Sequence, residues 1–251
     1  MRFSNMGKTA VKKNNLDKIV TRYHDKDTLH DKHIEDACQW FTFPWVLGHL
    51  NHRRKVLELG YGEGNFTKEL VRNDYHLTLV EGSLSLIEKA KKKYGGAVQC
   101  RHSLFEKYQP DKPFDRIVAT HVLEHVKDPV LLLKRMKSWL THDGKIIIIV
   151  PNKESIHRRL AVMMGMQPAL DTLSPRDKFV GHQRVYSLGT LGRDIRRAGL
   201  RIVDSTGFFL KVLPNSMMLH YPIALINTLN EISAVIPKEL LANIGVVAKR
   251  T

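Results

Sequence analysis

The stretch KVLELGYGEGNFTKEL, residues 55–70, decides the fold. An aliphatic run ends near Glu58, and Gly60, Gly62 and Gly64 then alternate with other residues before an amphipathic segment begins. Glycines at that spacing let the backbone turn sharply and let a ligand come close to the main chain. The pattern is that of a strand, a tight loop and a helix. A dinucleotide fingerprint has the order GxGxxG. Here the order is ELGxGxG, with an acidic residue two positions before the first glycine. A carboxylate at that point attracts a cationic amino group and repels a pyrophosphate. Standing alone, such a loop is also compatible with an ordinary strand-to-helix turn.

The surrounding sequence extends the pattern. Short apolar runs follow at HLTLVE (76–81), AVQCR (97–101), FDRIVAT (114–120) and KIIIIV (145–150). Between them FTKELVRND, SLIEKAKKKYG and DPVLLLKRMKSWL carry apolar residues at helical spacing. Nearly continuous aliphatic strands alternating with amphipathic helices predict a parallel sheet covered on both faces. Asp128 and Pro129 form a helix start, since proline has no N–H to lose there. Asp143-Gly144 is a turn signal before the Ile-rich strand. LGTLGRDIRRAGL (188–200) and LRIVDSTGFFL (200–210) add a helix and a strand, and IGVVAKR (244–250) supplies a last strand. Glu81 follows the glycine loop by about 20 residues, the spacing at which a carboxylate accepts hydrogen bonds from ribose hydroxyls.

Residues 1–50 show no strand-like alternation, and Trp40, Phe41, Phe43 and Trp45 cluster around Pro44. They are expected to form a helical lid preceding a domain of residues 51–251, with insertions at about 151–187 and 211–243. Within the lid, the segment 21–45 is expected to fold over a cofactor, with Tyr23 and His24 as candidate substrate contacts. The insertion 211–243 is read first as packing; an apolar acceptor pocket and a homodimer interface are the other two readings.

Composition narrows the class. The chain has 251 residues, 43% hydrophobic and 26% charged, enough for one domain with a sizeable core. Two cysteines, Cys38 and Cys100, without metal-ligand spacing, argue against a disulfide framework or a structural zinc site and fit a reducing, cytoplasmic setting. The basic N-terminus lacks the apolar run of a secretory signal, and the longest aliphatic stretch, Ile146 to Val150, is too short to span a bilayer. The net charge of +15 suits nucleic acid, anionic lipid or phosphorylated substrates, or is simply a solvated basic surface.

Four segments in order, VLELGYGEG, LVEGS (79–83), FDRIVATHVLEHVKDP (114–129) and DGKIIIIVPN (143–152), resemble class I S-adenosylmethionine-dependent methyltransferases. The resemblance is to the small-molecule branch that includes ubiquinone-pathway O-methyltransferases and sugar N-methyltransferases, and it covers roughly residues 50–205. It implies a doubly wound, Rossmann-like α/β fold with a seven-stranded, mostly parallel sheet whose last strand, Ile244 to Arg250, is antiparallel. It implies S-adenosylmethionine as cofactor. Glu58, Gly60, Gly62 and Gly64 would surround the methionine portion. Glu81, with Gly82 beside it, would bind the ribose. Ser103 and Leu104 would flank the adenine, and Thr120 and His121 would lie beneath the sulfonium. Two positions depart from the pattern. Tyr61 stands where a small residue is common and is expected to narrow the cofactor mouth. Ser103 stands where an Asp is usual.

For the chemistry beyond the cofactor, His121 and His125 are four apart and would share a face if the segment is helical. His182 lies in VGHQRVYS (180–187). A GHxRxYS stretch borders the substrate in relatives of this branch, which implies substrate contacts for Arg184 and Tyr186. His125 and His182 are the candidate bases and Glu124 a positioning carboxylate; a hydrogen-bonded structural role is the plainer reading of each histidine. No Asp/Asn cluster follows strand four, so no metal is expected. The expected reaction is methyl transfer to an oxygen or nitrogen of a small-molecule or glycan-precursor acceptor. An RNA methyltransferase is the alternative suggested by charge, although THVLEH (120–125) is not the (N/D)PPY type and no Pro-Cys or Thr-Cys dipeptide offers a nucleophile. A non-catalytic cofactor-binding protein on the same fold is the third reading.

Overall fold

The computed structural model describes residues 16–17, 31–50 and 55–251. Seven strands form one sheet: β1 (Lys55–Leu59), β2 (His76–Glu81), β3 (Val98–His102), β4 (Phe114–Thr120), β5 (Leu140–Pro151), β6 (Leu200–Phe208) and β7 (Asn243–Arg250). Their order is β3-β2-β1-β4-β5-β7-β6. Pairings from β3 to β5 are parallel, and β7 runs antiparallel to both its neighbours. This is the doubly wound arrangement expected, with the antiparallel last strand where it was placed. Strand order reverses between β1 and β4, so a crevice opens at the carboxyl ends of those two strands.

Both faces of the sheet are covered, which explains why KIIIIV has no polar alternation. On one face Leu57, Ile117, Ile146, Ile148 and Val246 meet α5 (Pro129–Trp139) and α8 (Leu188–Arg197) through Leu132, Leu133, Met136, Leu191 and Ile195. On the other, Val56, Leu79, Val118, Ile147 and Val247 meet α2 (Phe43–Leu50), α3 (Asn65–Arg72) and α4 (Leu84–Tyr94). Val46 and Leu50 of α2 are fully buried in that cluster, so the boundary expected at residue 50 passes through a core contact. The β6 register shifts between Ile202 and Asp204, and Asp204 accepts from Trp45 Nε1 (3.2 Å) and bonds His49 Nε2 (2.8 Å) of α2.

Helix starts follow the sequence signals. Asp128 caps α5, accepting from Leu131 N at 2.9 Å, with Pro129 at the first position. Ser187 and Thr190 form a capping box on α8. The Asp143-Gly144 signal is realised differently. No turn separates α5 from an Ile-rich strand; β5 already begins at Leu140, and the register against β4 slips between Phe114 and Arg116, so that Thr141 to Gly144 are absorbed as an irregularity within one strand. Gly144 sits against Leu140 and the Phe114 carbonyl oxygen, where a Cβ would clash.

Both insertions leave the carboxyl edge of the sheet. The first is pinned at its neck by a bridge between Asn152 and Tyr186, and carries α6 (Ile156–Met163) and α7 (Pro175–Phe179). The second follows β6 and carries α9 (Asn215–Met218) and α10 (Ile223–Ile232). Met218 and Ile226 are buried with Phe209 and Ala242 against Ile34 and Ala37 of α1 (Lys32–Trp40). Arg176 of α7 pairs with Asp31 (3.3 Å) and Glu35 (2.6 Å), and Asn215 Nδ2 donates to Asp31 at 2.8 Å. Residues α1, α7, α9 and α10 thus form a helical roof over the end of the sheet where a ligand would enter. Ile148 lies in β5, between β4 and β7, with no solvent exposure. Ile148→Ala should lower the unfolding free energy by about 2–5 kcal/mol, read by urea denaturation, because the surrounding sheet cannot collapse into the void.

Candidate active site

Gly60, Gly62 and Gly64 have φ of +85°, +50° and +79°, the left-handed region where a side chain is strained. A Cβ at Gly62 would meet nothing within 4 Å, so the loop leaves an open cradle between β1 and α3. Gly64 is different: Tyr61 packs its ring on it, and a Cβ there would lie 2.5 Å from the phenol. Tyr61 is 3% exposed and turned into the core with Phe66 and Leu70. The expectation that it narrows the cofactor mouth is corrected: a large residue at this point of the loop fills the space beneath it.

Glu81 closes the next side. Its carboxylate accepts from the Tyr61 N–H (2.9 Å) and the Ser83 N–H (2.7 Å), one on each oxygen. A carboxylate offers about four acceptor directions, so capacity remains for a further donor such as a ribose hydroxyl. Burial raises the Glu81 carboxyl above its ordinary value, and the backbone N–H groups of Tyr61, Ser83 and Gly82 oppose that rise. Gly82 faces Leu104 and Leu16, and any side chain there would collide with Leu16. Asp17 is buried beside them and accepts from Ser83 Oγ at 2.6 Å and from Ser85 N at 3.2 Å. Leu104 is exposed, and Ser103 spends its hydroxyl on the Leu104 carbonyl oxygen at 2.9 Å.

Glu58, on the glycine-loop side, is 3% exposed and accepts from Thr67 Oγ1 at 2.8 Å. Burial pushes its carboxyl up to about 8, with Thr67 opposing. A cationic amino group brought to it would restore the charge. The open glycine cradle, Glu58 and the half-used Glu81 carboxylate therefore fit the three polar parts of S-adenosylmethionine: ammonium, backbone-facing chain and ribose.

Thr120 ends β4 and His121 follows with φ +55°, donating its N–H to the Ile149 carbonyl oxygen at 2.8 Å. The reading of residues 121–125 as helix is corrected. The segment is a tight turn, with the His125 N–H on the Val122 carbonyl oxygen at 3.0 Å. Val122, Leu123 and Glu124 are buried in succession, an arc wider than one inward helical stripe, and Pro129 disfavours helix in the residue before it. The first glycine touches this turn: a Cβ on Gly60 would sit 3.9 Å from Val122.

The turn brings the histidines together by another route. His121 Nδ1 bonds Glu124 Oε1 at 3.2 Å, and Glu124 is fully buried, its Oε2 without a partner. Burial would raise the Glu124 carboxyl, but the His121 hydrogen bond and the neighbouring imidazoles pull it below its ordinary value. His125 and His182 stack edge to face with centroids 4.7 Å apart. Burial lowers His125, so it is neutral near pH 7. Asp177 Oδ1 holds His182 Nδ1 at 3.0 Å, and Arg158 binds the other Asp177 oxygen. Burial would raise Asp177, but the His182 bond and the Arg158 charge hold it well below the usual carboxylate range. An ionised carboxylate only accepts, so His182 carries a proton on Nδ1 and turns its Nε2 away from Asp177.

Arg184 and Tyr186 were expected beside the substrate, and the structure occupies both side chains elsewhere. Arg184 donates to the backbone carbonyls of Leu123, Val126 and Lys127. Tyr186 is 2% exposed, with its hydroxyl directed at Asp194. Tyr23 and His24 lie outside the described residues. Three participants were not foreseen: Asp177, Arg158 and Asp17. For Asp177 a faint signal exists, since Ser174-Pro175-x-Asp177 is a capping box at the start of α7.

The chain matches the family described as "Methyltransferase domain" over residues 30–205 and belongs to it. It is an S-adenosylmethionine-dependent methyltransferase. Among its relatives is "Malonyl-[acyl-carrier protein] O-methyltransferase 1" of Ilyobacter polytropus, 24% identical over 77% of this chain and 69% of that protein. Another is "Ubiquinone biosynthesis O-methyltransferase" of Xanthomonas euvesicatoria pv. vesicatoria, 26% identical over 66% of this chain and 70% of that protein. Matches to an uncharacterized methyltransferase of Anoxybacillus flavithermus span less, 44% of that protein. In fold it is similar to the Burkholderia thailandensis 1,6-didemethyltoxoflavin-N1-methyltransferase, solved with its substrate and S-adenosylhomocysteine, at a TM-score of 0.56 and 17% identity over 93% of this chain and 88% of that one. No helix among the described residues is long and apolar enough to cross a membrane.

Glu58 carries a prediction about the protein free of cofactor. A carboxyl raised from 4.5 to about 8 binds its proton more tightly in the folded state. Its contribution to stability is therefore complete below the unfolded value near 4.5 and is lost as pH rises through about 8. Glu58→Gln keeps a hydrogen-bonding partner for Thr67 and removes that loss. In urea unfolding without cofactor, the variant should gain on wild type from pH 5 to about pH 8 and level off above it; a pH-independent difference would mean that Glu58 is ionised throughout.

Proposed function

We propose that this methyltransferase acts on an oxygen or nitrogen of a small-molecule or glycan-precursor acceptor, docked at the His125–His182 cluster under the helical roof. The observation that carries this reading is the contact between the two halves of the site. Gly60 of the cofactor loop abuts Val122, within the turn that carries His121, Glu124 and His125. The neighbouring parallel strands β1 and β4 set these loops side by side at the switch point. The relatives named for O-methylation and N-methylation act on small molecules or on a carrier-bound acyl group, in line with the same reading. The net charge of +15 suits an acceptor carrying phosphate.

S-adenosylmethionine supplies a methyl group activated on a sulfonium sulfur. The chain supplies position and a path for the proton. Glu58 and the glycine cradle take the amino-acid end, Glu81 the ribose, and Gly82, Ser103 and Leu104 the base end. Thr120 and His121 border the reacting atom through main-chain groups. When the acceptor must lose a proton, it leaves through the His125–His182 pair, of which His182 is oriented by Asp177 and His125 is neutral near pH 7.

The first test is calorimetric titration with S-adenosylhomocysteine. Two hydrogen bonds to a charged carboxylate are each worth about 1.5–3 kcal/mol. Glu81→Ala should therefore weaken binding by about a hundredfold or more without unfolding the protein. An acceptor screen on the wild type, beginning with amino sugars and phenols, should then find turnover. Turnover only with RNA would overturn the acceptor class, and unchanged binding in Glu81→Ala would overturn the cofactor placement.

A further inference from the structure

We propose that Glu124, His125 and His182 form a binding site for a divalent first-row transition-metal ion such as Zn²⁺, with one coordination position open toward the acceptor. This rests on the methyl-transfer reading and refines the part given to the two histidines. Each of the three residues offers one ligand atom, and the three atoms lie within 4.8 Å of one another. Ligands at about 2.1 Å from a tetrahedral ion stand about 3.4 Å apart. A contraction of an ångström or so therefore closes the site.

The arrangement around the three atoms is what a metal requires. Glu124 has no solvent exposure, and its Oε2 has no hydrogen-bond partner, a costly state for a buried carboxylate oxygen that a cation would relieve. His121 holds the other oxygen at 3.2 Å and so fixes which one remains to bind. Asp177 accepts a hydrogen bond from His182 Nδ1, leaving Nε2 as the ligand, the carboxylate–histidine relation found behind many metal-bound imidazoles. Gly181 offers a backbone acceptor to His125 in the same way.

The frame is also rigid. His182 and His125 come from segments far apart in sequence, yet the Gln183 N–H donates to the Glu124 carbonyl oxygen at 2.8 Å and Gln183 Nε2 to that of His125 at 2.7 Å. Arg184 adds its three carbonyl contacts to the same turn. Two imidazoles and one carboxylate suit zinc, iron, cobalt and manganese better than calcium or magnesium, which prefer oxygen alone. An acceptor hydroxyl in the open position would be acidified by the ion and would give its proton to solvent, the role a bare imidazole would otherwise fill.

The test uses the full-length chain stripped with a chelator and titrated calorimetrically with ZnCl₂, then with MnCl₂. The expected result is one Zn²⁺ per chain with micromolar or tighter affinity. Glu124→Gln and His182→Ala should each weaken it at least tenfold. His142→Ala, at a histidine whose side chain is 97% exposed, should leave it unchanged. His125→Ala stands in if either site variant misfolds by circular dichroism. Absence of binding to folded wild type, or binding that survives Glu124→Gln and His182→Ala, overturns the proposal. S-adenosylhomocysteine titrated into the same stripped sample separates the two claims: its binding tests the cofactor site and is indifferent to the metal.

Discussion

Arg184 gives its guanidinium to three backbone carbonyls of the turn after β4, and the geometry of the acceptor side depends on that one contact. The turn has no helical hydrogen bonds of its own to satisfy those carbonyls, and a buried carbonyl without a donor is costly. A planar group with five fixed donors is the side chain best shaped to meet several at once. The same contact draws residues 181–184 against 123–127. His182 then meets His125 although 56 residues intervene in the chain, and Glu124 is sealed beneath them. A lysine here could satisfy one or two carbonyls, but without the planar fork that spans all three.

The cofactor side obeys a different constraint. Its polar groups are main-chain N–H donors and two buried carboxylates, Glu58 and Glu81, on adjacent strands. Burial raises the charging energy of both, and the Glu81 charge adds to it at Glu58. Glu81 is compensated from within by the backbone of Tyr61, Gly82 and Ser83, whereas Glu58 has Thr67 alone. The asymmetry matches the ligand. The carboxylate that meets uncharged hydroxyls is already partly satisfied, and the one that meets a cation is left wanting one. On the acceptor side the order is reversed, since Asp177 is fully engaged by Arg158 and His182 while Glu124 keeps an orphaned oxygen.

Much of this was legible in the residues, for a reason that also marks the limit. Strands β1, β2, β4 and β5 carry aliphatic runs because both faces are covered, and the residues at their carboxyl ends (Glu58, Gly60, Glu81, Thr120) are adjacent to those runs in sequence. Local pattern therefore locates them. Asp143-Gly144 misled because a turn signal and a bulge draw on the same residue types. The 121–125 segment misled because a spacing of four fits a helix and a tight turn alike. Tyr61 misled because the loop sequence does not say on which side of the loop a side chain lies. Arg184 and Tyr186 were singled out by motif and yet hold the frame together. Arg158 had no signal in the sequence and Asp177 only that of a capping box, since their importance lies in a contact with His182 that only the folded excursion creates.

The first excursion shows why such contacts tend to escape sequence reading. Its ends are tied by the Asn152–Tyr186 bridge, and Asn152 also donates to the carbonyls of Glu239 and Leu241 (2.7 and 2.8 Å), so the neck is clamped from both insertions. From that neck the chain travels out through α6 and returns through α7. Asp177 caps the return helix, accepts from Arg158 on the outgoing one and orients His182 just beyond. One carboxylate thus fixes a helix start, the closure of a loop and the tautomer of a histidine. Loss of any of the three would release the others, which makes the site cooperative with the fold that carries it. The one local signature of that position, the capping box, says nothing of Arg158 or His182, because each of its three partners supplies only part of the reason it is there.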